Sequence, residues 1–134
     1  SREDAERFWT VKVFPALAGG GLVLLAASVE GRTVGTVQLD YDTPPNQPHR
    51  AEVRKLLVHP DHRRRGIARA LMTRIEDEAR RLGRSLLTLD TRTGDTAEPL
   101  YASLGYATAG VLPGWCRDTL SERLDATTFM YKTL

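Results

Sequence analysis

Cysteine is almost absent from the chain. Cys116 stands alone among 134 residues, and one thiol cannot close an internal disulfide, which excludes a disulfide-stapled secreted scaffold and leads us to expect a reducing, cytoplasmic setting. Histidine is scarce too: three residues with one cysteine offer no ligand spacing of the kind a structural or catalytic metal requires, so no metal is expected. No apolar run approaches the roughly 18 residues a membrane-crossing helix needs, so no membrane partner is expected. The opening segment SREDAERFWTVKVF mixes its charges instead of setting a basic flank before an apolar stretch, so it does not read as a signal peptide. An excess of one charge is also missing. Nineteen Lys and Arg against seventeen Asp and Glu leave +2, and few aromatics accompany the arginines, so no nucleic-acid partner is expected. With no repeat, low-complexity tract or linker, residues 1–134 read as one domain.

Within that domain the periodicities alternate between helix and strand. From Asp4 to about Leu17 the apolar residues Ala5, Phe8, Trp9, Val13 and Phe14 recur at mixed three- and four-residue spacings, which predicts an amphipathic helix ended by Gly19-Gly20-Gly21. Leu22 to Val29 and Val34 to Leu39, on either side of Glu30-Gly31, predict a β-hairpin. DTPPNQPH, with three prolines, is a loop. Ala51 to Val58 predicts a strand with Glu52, Arg54, Leu56 and Val58 on one face and Val53, Lys55 and Leu57 on the other. Gly66 to Leu82 carries Ile67, Ala70, Leu71, Ile75, Ala79 and Leu82 at helical period, closed by Gly83. Ser85 to Thr91 reads as a strand, Glu98 to Leu104 as a short helix ended by Gly105, and Tyr106 to Leu112 and Thr127 to Leu134 as closing strands. A strand, helix, strand succession must cross over, so Ala51 to Val58 and Ser85 to Thr91 are expected as parallel neighbours in a mixed α/β (α+β) sheet. The exposed C-terminal strands make a homodimer an expectation as well.

The junction of strand and helix at Val58 to Gly66 carries the chemistry. A helix start presents backbone N–H groups without helical partners and a partial positive charge, Gly66 keeps a Cβ out of the way, and Arg63, Arg64 and Arg65 add formal charge. A diphosphate suits such a place, although three arginines alone are as well read as a solvated surface run. No Gly-Lys-Ser/Thr follows and no Rossmann glycine triplet is present, which removes the nucleotide-hydrolase and dehydrogenase readings.

Arg63-x-x-Gly66-x-Ala68, after a strand ending in Val-x-Pro, resembles the Gln/Arg-x-x-Gly-x-Gly/Ala signature of the GNAT family of N-acetyltransferases. The stretches HRAEVRKLLVHP, LLTLDT, LYASLGY and LPGWC, with the closing YKTL, look closest to the tabtoxin-resistance type, which acetylates a small β-lactam amino acid. The resemblance implies a mostly antiparallel sheet with a central parallel pair flanked by helices, and acetyl-CoA as cosubstrate. It implies that Leu56, Leu57 and Val58 bind the pantetheine arm through backbone groups splayed from the next strand, and that Arg63, Arg64, Arg65, Gly66, Ile67, Ala68 and Arg69 surround the pyrophosphate. Members of the family begin with a strand and a helix that this chain is expected to lack. Gly94 stands where many carry an asparagine that contacts the cofactor.

Acetyl transfer to an amine needs a route for the amine proton, support for an oxyanion and a proton for the leaving sulfur. Tyr101 matches the family tyrosine that donates to the sulfur, and Tyr106 is expected to pack. Glu52 and Asp90 are carboxylates within strands, where acidic residues are depleted. Either could take the amine proton, directly or through water, or hold the substrate's ammonium group, and either could instead pair with Arg50 or Arg54 on the surface. A backbone N–H near Leu57 would meet the oxyanion, as the family implies. Trp115 could wall the acceptor pocket or anchor a loop, and Cys116 in the same predicted loop is not read as a nucleophile. The expected acceptor is the primary amine of a small molecule such as an amino acid or amino-acid-like toxin, with peptide acetylation or a non-catalytic acetyl-CoA module as alternatives.

Overall fold

The computed structural model describes residues 10–15, 20–64 and 66–134. Its hairpin is the one expected: β2 (Leu22–Val29) and β3 (Arg32–Asp40) turn through Glu30 and Gly31, whose φ values of 50° and 79° are both positive. Such two-residue turns match the right-handed twist of the strands they join. Ahead of the hairpin, β1 (Thr10–Pro15) pairs antiparallel with β2, from Thr10↔Ser28 to Pro15↔Val23. This corrects the helix expected over Asp4 to Leu17 wherever the two overlap. Val11 and Val13 are half-buried while Thr10, Lys12 and Phe14 are exposed, an alternation of period two that β2 satisfies and a helix would not. The remainder of that segment lies outside the described residues.

The strands form one sheet in the order β1-β2-β3-β4-β5-β7-β6. β4 (Arg50–Val58) and β5 (Leu86–Arg92) are its parallel pair. Between them a 3-10 turn (Pro60–His62) leads to α1 (Ile67–Arg81), and after β5 come α2 (Ala97–Ser103), β6 (Ala107–Arg117) and β7 (Leu124–Thr133). The fold is the mixed, mostly antiparallel sheet with one parallel pair that the sequence predicts. α1 buries Ile67, Leu71, Met72, Ile75 and Ala79 against Val37, Leu39, Ala51, Val53 and Leu87 of the sheet core. Gly35 in β3 lets it settle there: a Cβ would lie 3.0 Å from Ile67 Cγ2 and 3.2 Å from Leu71 Cδ1.

Two strands depart from the expected pattern, β4 through one register shift and β6 through two. In β4 the register runs from Gln38↔Arg54 to Thr36↔Leu57, so Lys55 and Leu56 together oppose Val37, and Lys55 adopts a left-handed φ of 54°. An extra residue of this kind shifts the alternation by one. Ala51 and Val53 face the core before the bulge, and Leu56 and Val58 pack against it afterwards, so Leu56 and Val58 do not share the face of Glu52 and Arg54. In β6, ladder pairing resumes at Cys116↔Asp125 after Leu112↔Thr127. Trp115 and Cys116 therefore belong to a strand and not to a loop.

Candidate active site

The parallel ladder is short. It comprises Arg50↔Leu86, Ala51↔Leu87 and Glu52↔Thr88, beyond which the strands part. A cleft of about 660 Å³ fills the opening. One wall is the bulged end of β4, with Leu56, Leu57 and Val58; the mouth is formed by His62, Arg63, Arg64 and Gly66, with Ile67, Ala68 and Arg69 of the first turn of α1. The cleft thus gathers every residue expected at the cofactor site except Arg65, which lies outside the described residues. The opposite wall, Asp95, Thr96, Ala97 and Leu100, was not anticipated. It follows from how far α2 leans over the gap, and no local sequence signal reports that.

The mouth has the features of an anion site. Gly66 precedes α1 with a φ of 78°, and no side chain caps the helix end; the first helical bond runs from the Ala70 amide to the Gly66 carbonyl at 3.0 Å. A Cβ on Gly66 would meet nothing within 4 Å among the described residues beyond its own chain neighbours, so its missing side chain leaves free space in front of the first-turn amides. Arg63 Nε reaches the Val58 carbonyl at 3.4 Å, and Arg69 crosses to the Ser103 hydroxyl of α2 at 2.8 Å. Gly94, also with positive φ, donates its amide to Glu98 Oε1 at 3.0 Å.

Behind the far wall the Tyr101 ring is buried edge-on to Tyr106, with centroids 5.9 Å apart. Its hydroxyl makes no hydrogen bond among the described residues. Burial, and then the charges of Asp95 and Asp90, push its pKa up to about 12, so the phenol stays protonated at neutral pH. Tyr106 is the packing residue expected: its hydroxyl donates to Glu76 Oε2 at 3.2 Å, and Lys132 Nζ meets Glu76 Oε1 at 2.8 Å. Burial and the Glu76 carboxylate raise the Tyr106 pKa well above the ordinary phenol range.

On the sheet face away from α1, the Glu52↔Thr88 pairing and the two-residue repeat of β5 set Glu52, Thr88 and Asp90 on one side. Glu52 Oε1 is 3.9 Å from Arg54 Nε, a guanidinium that also meets Asp40 Oδ2 at 3.1 Å. Asp90 Oδ2 accepts from the Thr127 hydroxyl at 2.9 Å. Phe129 lies opposite Asp90 in register, and Trp115 packs edge-on to it at 5.4 Å. The two carboxylates and Trp115 therefore share this face and stand outside the cleft wall. Cys116 is exposed. Among the described residues no group of three or more histidine, cysteine or acidic side chains could hold a metal ion, and no helix is long and apolar enough to cross a membrane.

A sheet parted between two parallel strands, with an uncapped helix start at the opening, is the architecture of an acetyl-CoA-dependent transferase. The model of the Acetyltransferase (GNAT) family matches residues 2–106, and the chain belongs to that family. It is similar to a ribosomal-protein-alanine N-acetyltransferase from Brucella melitensis, with 28% identity and a TM-score of 0.76 over 85% of this chain and 70% of that one. A Salmonella typhimurium protein described as an acetyltransferase, solved with its cofactor acetyl-CoA, is 25% identical with a TM-score of 0.75, over 84% of this chain and 65% of that one. The IAA acetyltransferase from Bacillus cereus, 15% identical, shares the fold over 94% of this chain and 99% of its own, with a TM-score of 0.78.

Proposed function

We propose that the chain, acting as one domain, moves the acetyl group of acetyl-CoA directly to a primary amine of a small molecule, of the amino-acid-like kind that the tabtoxin-resistance type acetylates. The observation that carries this reading is the cleft, in which a bulged and unpaired strand end, an uncapped helix start and arginines meet along one path. Those residues fit the group. The strand end offers backbone hydrogen bonds to an amide-bearing arm, and the helix start offers amides and charge to a diphosphate. Acetyl-CoA, when bound, supplies an acetyl group activated as a thioester.

The protein's share of the chemistry divides between the two faces of the parted sheet. On the side of α2, the Tyr101 hydroxyl, which makes no hydrogen bond among the described residues, donates to the sulfur as charge develops on it. A phenol pushed up to about 12 lies well above an ordinary thiol at about 8.5, so its part is a hydrogen bond that hands over the proton late. On the other side Glu52 and Asp90 receive the proton released by the amine, directly or through water, or hold the ammonium before reaction. A backbone amide near Leu57, turned by the bulge, supports the carbonyl oxygen. Thiol release from acetyl-CoA, followed across amino acids, β-lactam amino acids, polyamines and short peptides, tests the reading: turnover of small amines supports it. Tight acetyl-CoA binding with no transfer to any amine would instead make the chain a binding module.

A second reading has its own observation. The likeness to a ribosomal-protein-alanine N-acetyltransferase favours a peptide N-terminus as acceptor, and turnover confined to peptides in the same screen would select it.

A further inference from the structure

α1 buries two carboxylates, Glu76 and Glu78, at 5% and 4% exposure. Glu78 is answered from within its own helix, by Arg74 at 3.7 Å and by Arg81. Glu76 has Arg80 of its helix at 3.8 Å, but its nearer partners come from other elements. Its Oε1 receives Lys132 Nζ of β7 at 2.8 Å, and its Oε2 receives the Tyr106 hydroxyl at 3.2 Å. A buried ion pair adds little stability over well-packed apolar side chains, so stability alone does not account for a carboxylate in this place. Both of its partners lead on to α2. Lys132 Nζ also donates to the carbonyl of Leu104, the residue that ends that helix, at 2.7 Å. The Lys132 stem fits against Gly105, where a Cβ would lie 3.4 Å from Cε. The Tyr106 amide donates to the Tyr101 carbonyl at 3.0 Å, and the two rings stand edge-on.

We propose that Glu76 is a positioning residue for Tyr101: with Lys132 and Tyr106 it forms a buried brace, anchored in α1 and β7, that sets the end of α2 and so aims the Tyr101 hydroxyl. This inference rests on the reading of Tyr101 as the donor to sulfur and names what aims it. The hydroxyl makes no hydrogen bond among the described residues, so its direction comes from the backbone and the ring contact. Tyr106 supplies both, and Glu76 holds the Tyr106 hydroxyl. The Lys132 ammonium joins the Glu76 carboxylate to the helix-end carbonyl, so the ion pair cannot shift without the end of α2 shifting as well. A buried polar network whose members are all partnered is rigid, and each bond in it strengthens the next. Misplacing a reacting group by about 1 Å can cost about a hundredfold in rate. A brace that acts through α2 in this way shows in the chemical step and not in affinity.

The test is a double-mutant cycle on the full chain, read as acetyl transfer from acetyl-CoA to whichever amine is turned over fastest among amino acids, β-lactam amino acids, polyamines and short peptides. E76Q and K132M should each lower kcat about fivefold, with acetyl-CoA affinity and the acceptor KM unchanged. In a Y101F background the same substitutions should lower kcat no further, because the donor they aim is gone. D77N, which removes an exposed carboxylate from the same helix, should change kcat in neither background. Should E76Q fail to fold, E76Q/K132M, in which neither charge is left without its partner, and Y106F, which keeps the ring contact, make the same comparison. Losses of equal size with and without Tyr101, losses confined to KM or to acetyl-CoA affinity, or an unchanged kcat would overturn the brace and leave Tyr101 as the donor. An unchanged kcat in Y101F alone, or no turnover of any of these amines, would overturn the reading beneath it and the brace together.

Discussion

Tyr101 shows how one environment can shape both chemistry and stability. Its hydroxyl makes no hydrogen bond among the described residues, and its ionisation is disfavoured, first by burial and then by Asp95 and Asp90, so Y101F removes a donor without opening a cavity. We expect kcat to fall by about tenfold to a hundredfold with acetyl-CoA affinity unchanged, as measured by steady-state kinetics beside direct titration. The same residue carries a pH signature. A folded-state pKa of about 12 against about 10 in the unfolded chain means that stability is present in full below pH 10 and is lost as pH rises through 12, by up to about 2–3 kcal/mol. Urea unfolding from pH 9 to the highest pH at which the protein still folds should fall less steeply in Y101F than in the parent. At the mouth of the cleft, Gly66 answers to its φ of 78° and to the open space in front of it. G66V should weaken acetyl-CoA binding at least tenfold, whereas G66N, whose side chain tolerates a left-handed backbone, should fold near normally and still bind less tightly. Equal affinity in all three proteins would sever the loop from the cofactor.

The bulges of β4 and β6 mark what a one-dimensional pattern conceals. α1 was legible because Ile67, Leu71, Ile75 and Ala79 keep helical period between Gly66 and Gly83, and the hairpin because Glu30-Gly31 permits two positive φ values. The run that forms the mouth of the cleft was legible for the same reason: it is contiguous and lies at a predicted junction of strand and helix. The face assignment of β4 was not, since a bulge at Lys55 is encoded by no glycine and inverts Leu56 and Val58 relative to Glu52. β1 was misread because its alternation is only six residues long and adjoins a segment of helical spacing. The wall from Asp95 to Leu100 and the Asp90–Thr127 pairing depend on contacts distant in sequence, which local pattern does not report. The bulge itself makes a prediction. K55G should keep or slightly raise stability, whereas K55V, β-branched at a left-handed position, should cost about 1–2 kcal/mol and loosen acetyl-CoA binding. Denaturant midpoints and cofactor titrations of the two variants check this.

For the whole molecule, the three-pair ladder between β4 and β5 divides the sheet into a half running from β1 to β4 and a half made of β5, β7 and β6. At the closed end the halves are clasped. Arg84 donates to Thr43 Oγ1 at 2.9 Å and to the Arg50 carbonyl at 3.0 Å, and the Ser85 and Leu86 amides reach the His49 carbonyl. At the open end the ladder gives way to the cleft. The sheet therefore resembles a clothes-peg whose jaws differ: Leu56, Leu57 and Val58 line the cleft from one, and Asp90 stands on the strand that begins the other. Whatever lies between the jaws takes the place of the missing ladder, so cosubstrate should act as a structural strut as well as a reagent. Acetyl-CoA at about a hundredfold over its Kd should raise the unfolding free energy by about 2.7 kcal/mol, and hydrogen exchange should slow together in Leu56–Val58 and in the first turn of α2. On that expectation, loss of CoA would relax the two halves together, and each turnover would be a cycle of stiffening and relaxation.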